Sequence, residues 1–211
     1  MLAFLAAVAI AAPVDERLAR GEVVVTRMPA CERGALGGRS QGVVRAPIER
    51  VWTVLNESNE FENYMPNFLA SWLISRSVQP EVVCRSDWQR GELERLLAGQ
   101  RLADWLGDTV LFYNVLDMPF PVSDRWYLLE MWRDHVSHTI GWNQLVGNLK
   151  MNRGSWELSP WAVDQTLATY TTVSIPGISL PRFFLDIGLN QSLPGVIRGL
   201  RNRVAAQDPE K

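Results

Sequence analysis

Few residues in this sequence have chemistry to offer, and the first to weigh are Ser123, Asp124 and Arg125, within the stretch VLDMPFPVSDRWYLLEMW from Val115 to Trp132. A carboxylate next to a guanidinium could do acid–base work, but that work needs a partner base or nucleophile, and none stands nearby in sequence. Ser and Asp after a proline favour local turn hydrogen bonds. Consecutive strand residues point to opposite faces, so Asp124 and Arg125 cannot both line one pocket. The trio reads as an architectural turn, with Asp124 satisfying turn amides and Arg125 pairing with a carboxylate or a backbone carbonyl.

His135 and His138 are the only histidines, with Asp134 beside them. On a helix this spacing would put both rings on one side as metal ligands, but here it brackets a turn between strands and reads as a solvated hairpin, with no metal expected. Cys31 and Cys84 are the only cysteines, which leaves one disulfide and two unpaired buried thiols equally open. No phosphate-binding glycine loop, nucleophile elbow or Cys-His signature is present. No cofactor and no catalytic residue are expected on these grounds.

The elements that must position these groups belong to one domain: 211 residues, 47% apolar, with a net charge of -2. A near-neutral chain lacks the basic footprint of a nucleic-acid binder. Nine tryptophans (52, 72, 88, 105, 126, 132, 142, 156, 161) suit either an aromatic core or a wall around an apolar ligand. The opening MLAFLAAVAIAA is apolar over a length too short to span a bilayer and ends at small residues. Residues 1–12 are therefore read as a signal peptide, with a mature chain beginning near Ala12 and exported to a periplasm or beyond; an uncleaved, tethering N-terminus is the alternative.

From Gly21 a β-branched run, a Pro/Gly-rich interruption and a second run at Gln41–Arg45 read as strand, turn, strand. Pro47 opens a helix whose Ile48, Val51, Trp52 and Leu55 share one face. A second short helix over Glu57–Met65 stops at Pro66. Strands are expected over Ala70–Val78, Thr109–Leu116, Arg125–Arg133, Thr139–Val146, Met151–Leu158 and Thr166–Val173, the last three as an antiparallel meander. Leu93, Leu96, Leu97 and Trp105 mark a helical insertion. Leu193, Ile197, Leu200 and Val204 recur at helical spacing in a long closing helix, with Arg198, Arg201 and Arg203 on its other side.

This order resembles the helix-grip fold of the START and polyketide-cyclase (SRPBCC) superfamily. The resemblance rests on GVVRAPIERVWTVLNESNEFENYMP, on PFPVSDRW, on GSWELSPW from Gly154 to Trp161, and on SIPGISLPRFF, and it spans about Gly21 to Val204. It implies an α+β domain over residues 21–206: a curved antiparallel β-sheet wrapped around a long C-terminal α-helix, with two short helices after the first strand. It also implies a cavity between sheet and helix for a lipid or other hydrophobic small molecule. On strand residues that alternate in facing, the expected ligand contacts are Trp72, Phe112, Tyr127, Leu129, Met131, Trp142 and Trp156. Phe183, Phe184, Ile187 and Ile197 are expected to add contacts from the closing segment.

That segment also crowds Ile175, Ile178, Leu180, Leu185 and Leu189 around Pro176, Gly177 and Pro181, with Pro176-Gly177 and Pro194-Gly195 as its two hinges. It suits either core packing or a hinged lid in transient contact with a membrane surface, where Arg182 and Arg198 would meet anionic headgroups. The expected function is non-catalytic binding, extending to transport, of an apolar molecule. The alternative is an aromatase/cyclase acting on a polyketide-like substrate, and a ligand-free interaction module is the remaining reading.

Overall fold

Apolar runs dominate the second half of the chain, and the computed structural model, which describes residues 12–178 and 191–207, folds them into one antiparallel sheet of eight strands. The strands are β1 (Val24–Met28), β2 (Leu36–Val44), β3 (Phe68–Ile74), β4 (Thr109–Leu116), β5 (Arg125–Asp134), β6 (Thr139–Gly147), β7 (Met151–Ala162) and β8 (Gln165–Ile175). They lie in the order β1-β2-β8-β7-β6-β5-β4-β3, so the meander from β3 to β8 is closed against the N-terminal hairpin by the β2–β8 pairing. The helices are α1 (Val14–Ala19), α2 (Ile48–Asn56), α3 (Phe61–Tyr64), α4 (Gln79–Val83), α5 (Arg90–Ala98) and α6 (Leu193–Ala206). This is the expected helix-grip α+β arrangement.

On the inner face Val51, Trp52, Val54 and Leu55 of α2 pack with Val196, Ile197, Leu200 and Val204 of α6 over Phe112, Tyr127, Leu129, Met131, Trp142 and Trp156 of the strands. Helix α6 rides close to β2 because Gly42 leaves room: a Cβ there would meet Ile197 Cγ2 at 2.6 Å and Arg201 Nη2 at 2.9 Å. Arg201 donates to the Val43 and Gly21 carbonyls, each at 2.9 Å, and Arg203 pairs with Glu57 at 3.0 Å, which ties both sides of α6 down.

The outer face is covered too. Val78, Val82, Leu93 and Leu97, from the β3–β4 connection that carries α4 and α5, bury Ile74, Leu111, Tyr113, Val115, Trp126, Leu128 and Val146. Several boundaries differ from the sequence reading, among them the start of β2 at Leu36 instead of Gln41 and the end of β7 at Ala162 instead of Leu158. The strand expected over Ala70–Val78 ends at Ile74, where the Ser75 hydroxyl accepts from the Ser77 amide and starts a 3-10 turn over Arg76–Val78. Helix α5 ends at Ala98, and Trp105 joins the inner-face core, its indole donating to Ser58 Oγ at 3.3 Å. Pro194 and Gly195, expected as the second hinge of the closing segment, sit in the first turn of α6, where a proline costs no helical hydrogen bond, with Gly195 against Pro66.

Candidate functional site

Between the inner face of the sheet and α6 lies a cavity of about 530 Å³, a size suited to a small organic ligand. Its roof is Leu193 and Val196 of α6, its floor Tyr127, Asn152, Tyr170 and Thr172, and its ends the β1–β2 hairpin (Met28, Leu36, Gly38) and the Pro66–Phe68 corner with Leu116 and Met118. A separate, smaller void of about 50 Å³ shares Phe68, Tyr127, Asn152, Tyr170 and Val196 with it and is lined further by Phe61, Met65, Phe112, Leu129, Met131, Trp142 and Trp156.

The aromatic wall of the inner void is a built unit. Trp142 stacks on Tyr170, with centroids 5.5 Å apart, and Trp156 leans on the same ring at 4.9 Å. The Trp142 indole donates to Asn152 Oδ1 at 3.2 Å and lies over Gly154, its cross-strand partner, where any Cβ would collide with it. Burial pushes the Tyr127 phenol far above its ordinary range, against a smaller opposing effect of its hydrogen bond with Asn152. Burial likewise pushes Tyr170 up to about 12, so both hydroxyls stay neutral in any physiological setting. Asn114, fully buried between Ser71 and Tyr127 in the sheet, keeps both side-chain polar atoms unpartnered among the described residues.

Six of the predicted contacts, Phe112, Tyr127, Leu129, Met131, Trp142 and Trp156, line the inner void together. Ile197 is fully buried in the same core, packed against β2, and lines neither space. Trp72 is on the other face: it packs in the outer cluster against Tyr113 and under the Arg101 guanidinium, because Leu73 and Ser71, not Trp72, take the inward parity of β3. Phe183, Phe184 and Ile187 lie outside the described residues. Asn152 and Tyr170 escape the sequence reading, although Asn152 shares the face of Trp156 by strand alternation and Tyr170 is its cross-strand partner.

The turn trio behaves differently from its expected role. Ser123 and Asp124 stay outside the cavity, and the Asp124 carboxylate takes the Arg90 guanidinium at 3.1 Å instead of turn amides. The turn is held by Asn148, which donates to the Asp124 carbonyl and accepts the Trp126 amide, both at 2.9 Å. Arg125 pairs with neither a carboxylate nor a carbonyl: it is 6% exposed, lines the cavity, and has one side-chain hydrogen bond among the described residues, to Ser123 Oγ at 3.4 Å. Desolvation lowers its pKa. The histidine hairpin is docked as well as solvated. His135 Nδ1 accepts the Trp52 indole N–H at 3.0 Å, His138 Nε2 lies 3.2 Å from Glu49, and both rings meet Trp52 edge-on. Cys31 and Cys84 are exposed and free, and no helix among the described residues is long and apolar enough to cross a membrane.

No protein-family model matches the sequence, and no curated protein matches it. Solved structures do. The STAR-related lipid transfer protein from Xanthomonas axonopodis superposes with a TM-score of 0.58 over 86% of this chain and 98% of that one, at 17% identity. The Zhui aromatase/cyclase from Streptomyces sp. R1128 gives 0.60 over 82% and 95%, at 11% identity. Human STARD10 gives 0.58 over 95% and 83%, at 12% identity. The fold is START-like. Within that START-like fold, the sheet, α2 and α6 enclose the cavity, and the α4–α5 cover on the outer face is the departure expected from the insertion around Leu93.

Proposed function

We propose that this protein binds a lipid or other apolar small molecule between its sheet and α6, and carries it between membranes or partners in the cell envelope. The observation that carries this reading is that the 530 Å³ cavity and the aromatic-walled inner void share five lining residues, and that both linings together are far richer in apolar than in polar side chains. The START-like neighbours that are a lipid transfer protein and human STARD10 lend it support. The cyclase reading draws on the Zhui neighbour. Against it, the groups around the inner void that could trade a proton are the phenols of Tyr127 and Tyr170, which burial holds protonated, and the cavity's carboxylate among the described residues is the exposed Asp117.

Export with cleavage near Ala12 is part of the same proposal, because residues 1–12 read as a signal peptide and a carrier in the envelope has need of one. Intact mass of the protein from cell fractions tests this: a chain retaining Met1–Ala11 in the cytosol refutes it. For binding, the purified chain is extracted with organic solvent and the extract identified by mass spectrometry, with about one apolar ligand per chain expected. Trp142 and Trp156 border the inner void, so a fluorescent fatty-acyl probe should accept energy from tryptophan when the emptied protein takes it up. An empty extract together with no uptake of any apolar probe refutes the proposal.

A further inference from the structure

Arg125 differs from Arg27, the other arginine on the cavity wall, which is exposed at its rim. Arg125 is nearly buried, yet none of the ion pairs among the described residues includes it, whereas Arg90 is matched by Glu94 and Asp124, and Arg203 by Glu57 and Glu60. A guanidinium stays charged under all physiological conditions and presents five donors in a planar fork. One contact of 3.4 Å to Ser123 Oγ leaves most of those donors uncommitted. Burying an unmatched cation is costly unless something of opposite charge joins it, and here the side chain borders open cavity instead of packed protein.

The strand that carries Arg125 also sets a direction. Arg125, Tyr127, Leu129 and Met131 share the inner face of β5; Arg125 and Tyr127 border the wide cavity, and Tyr127, Leu129 and Met131 border the inner void. The six steps from Arg125 to Met131 span about 20 Å, so the lining runs from a cation at one end to mainly apolar and aromatic walls at the other. The other charged residues on the cavity wall, Arg27 and Asp117, are exposed at its rim and have water to solvate them.

We propose that the ligand is an amphiphile with an anionic head, a carboxylate or a phosphate, which Arg125 grips in the wide cavity while the tail runs along β5 towards the inner void. This rests on the cavity-binding reading above. Bidentate pairing of the guanidinium with either head supplies both charge and orientation.

The test measures binding of four probes to the full chain at pH 8 by titration calorimetry: palmitate, hexadecanol, a palmitoyl lysophosphatidate and inorganic phosphate. Palmitate and lysophosphatidate should bind about ten-fold or more tighter than hexadecanol, the scale of one charge-assisted contact. Inorganic phosphate alone should bind far more weakly than either. Arg125→Gln should bring palmitate down to the level of hexadecanol without weakening hexadecanol, and Arg125→Lys should keep part of the preference. Equal binding of palmitate and hexadecanol to the unmodified chain overturns the anionic head and leaves apolar binding standing. Failure of all three tailed probes overturns both. Phosphate binding as tightly as lysophosphatidate overturns the amphiphile. If Arg125→Gln does not fold, the contrast among probes on the unmodified chain still decides.

Discussion

Helix α6 closes the cavity by lying on β2, and that contact depends on Gly42 having no side chain. In Gly42→Ala the new methyl arrives 2.6 Å from Ile197 Cγ2 and 2.9 Å from Arg201 Nη2. Carbon atoms in contact prefer about 3.5–4.0 Å, so about 1 Å must be found. Arg201 can swing away at the loss of its bond to the Val43 carbonyl. Ile197 is fully buried and cannot. Overpacking of this kind costs about 1–3 kcal/mol, and Ile197→Ala alone, a large-to-small change in the core, costs about 2–5 kcal/mol. The double variant removes the colliding Cγ2 and lets the methyl introduced on β2 enter the vacated space. Its loss should therefore fall short of the sum of the single losses by about 0.5–3 kcal/mol, the range for directly contacting residues. Guanidinium unfolding, followed in parallel by tryptophan fluorescence and circular dichroism so that coincident transitions verify two-state behaviour, gives all four corners of the cycle. Additivity to within about 0.5 kcal/mol, or a Gly42→Ala variant as stable as the parent, would refute the close approach of α6 to β2.

At the head of β5, Asn148→Ala should cost about 1–3 kcal/mol, because it strips a partner from the Trp126 amide and another from the Asp124 carbonyl. Asp124→Ala, which loses only a part-exposed pair with Arg90, should cost about 0.2–1 kcal/mol; urea midpoints in the reverse order would show that the carboxylate holds the turn. Trp72→Ala should lower stability by cutting the outer cluster while leaving the affinity for a fluorescent fatty-acyl probe unchanged, and a weakened affinity would place Trp72 in the site after all. All four tyrosines have pKa values raised above their ordinary 10.0, with desolvation the largest cause in each and Tyr170 at about 12. A raised native pKa means that the unfolded chain releases these protons first, so their contribution to stability is complete below pH 10 and is lost as pH rises from there through 12. Absorbance at 295 nm should therefore rise together with loss of tertiary structure, and tyrosinate appearing in the still-folded protein near pH 10 would contradict the burial.

The strands of the meander are legible because each presents a continuous apolar run bounded by turn residues, and β4 matches its expected span residue for residue at Thr109–Leu116. Trp72 shows where that reading ends. With helices on both faces of the sheet, β4 and the first half of β5 are buried on both sides, and neighbouring β3 has Trp72 and Leu73 both apolar, so alternation no longer tells inside from outside. The covering α4 is five residues long and starts from Gln79-Pro80, too short for a helical period to show. Arg125 is misplaced for another reason. Its sequence neighbours define a turn, and only the three-dimensional surroundings reveal that no carboxylate among the described residues comes to meet it. His135 and His138 likewise gain their partners, Trp52 and Glu49, from a helix more than eighty positions away in the chain.

Trp142 can lie flat against β7 because residue 154 opposite it is glycine. A side chain there would meet the Trp142 ring and the Thr171 carbonyl together, so it displaces the indole, with Tyr170 stacked upon it, or loosens the β7–β8 pairing. On the proposed binding of an anionic amphiphile, a length series of fatty acids presented to folded Gly154→Ala would show the cut-off move to shorter acids while the preferred head group stays the same, a change made from a position that lines neither space.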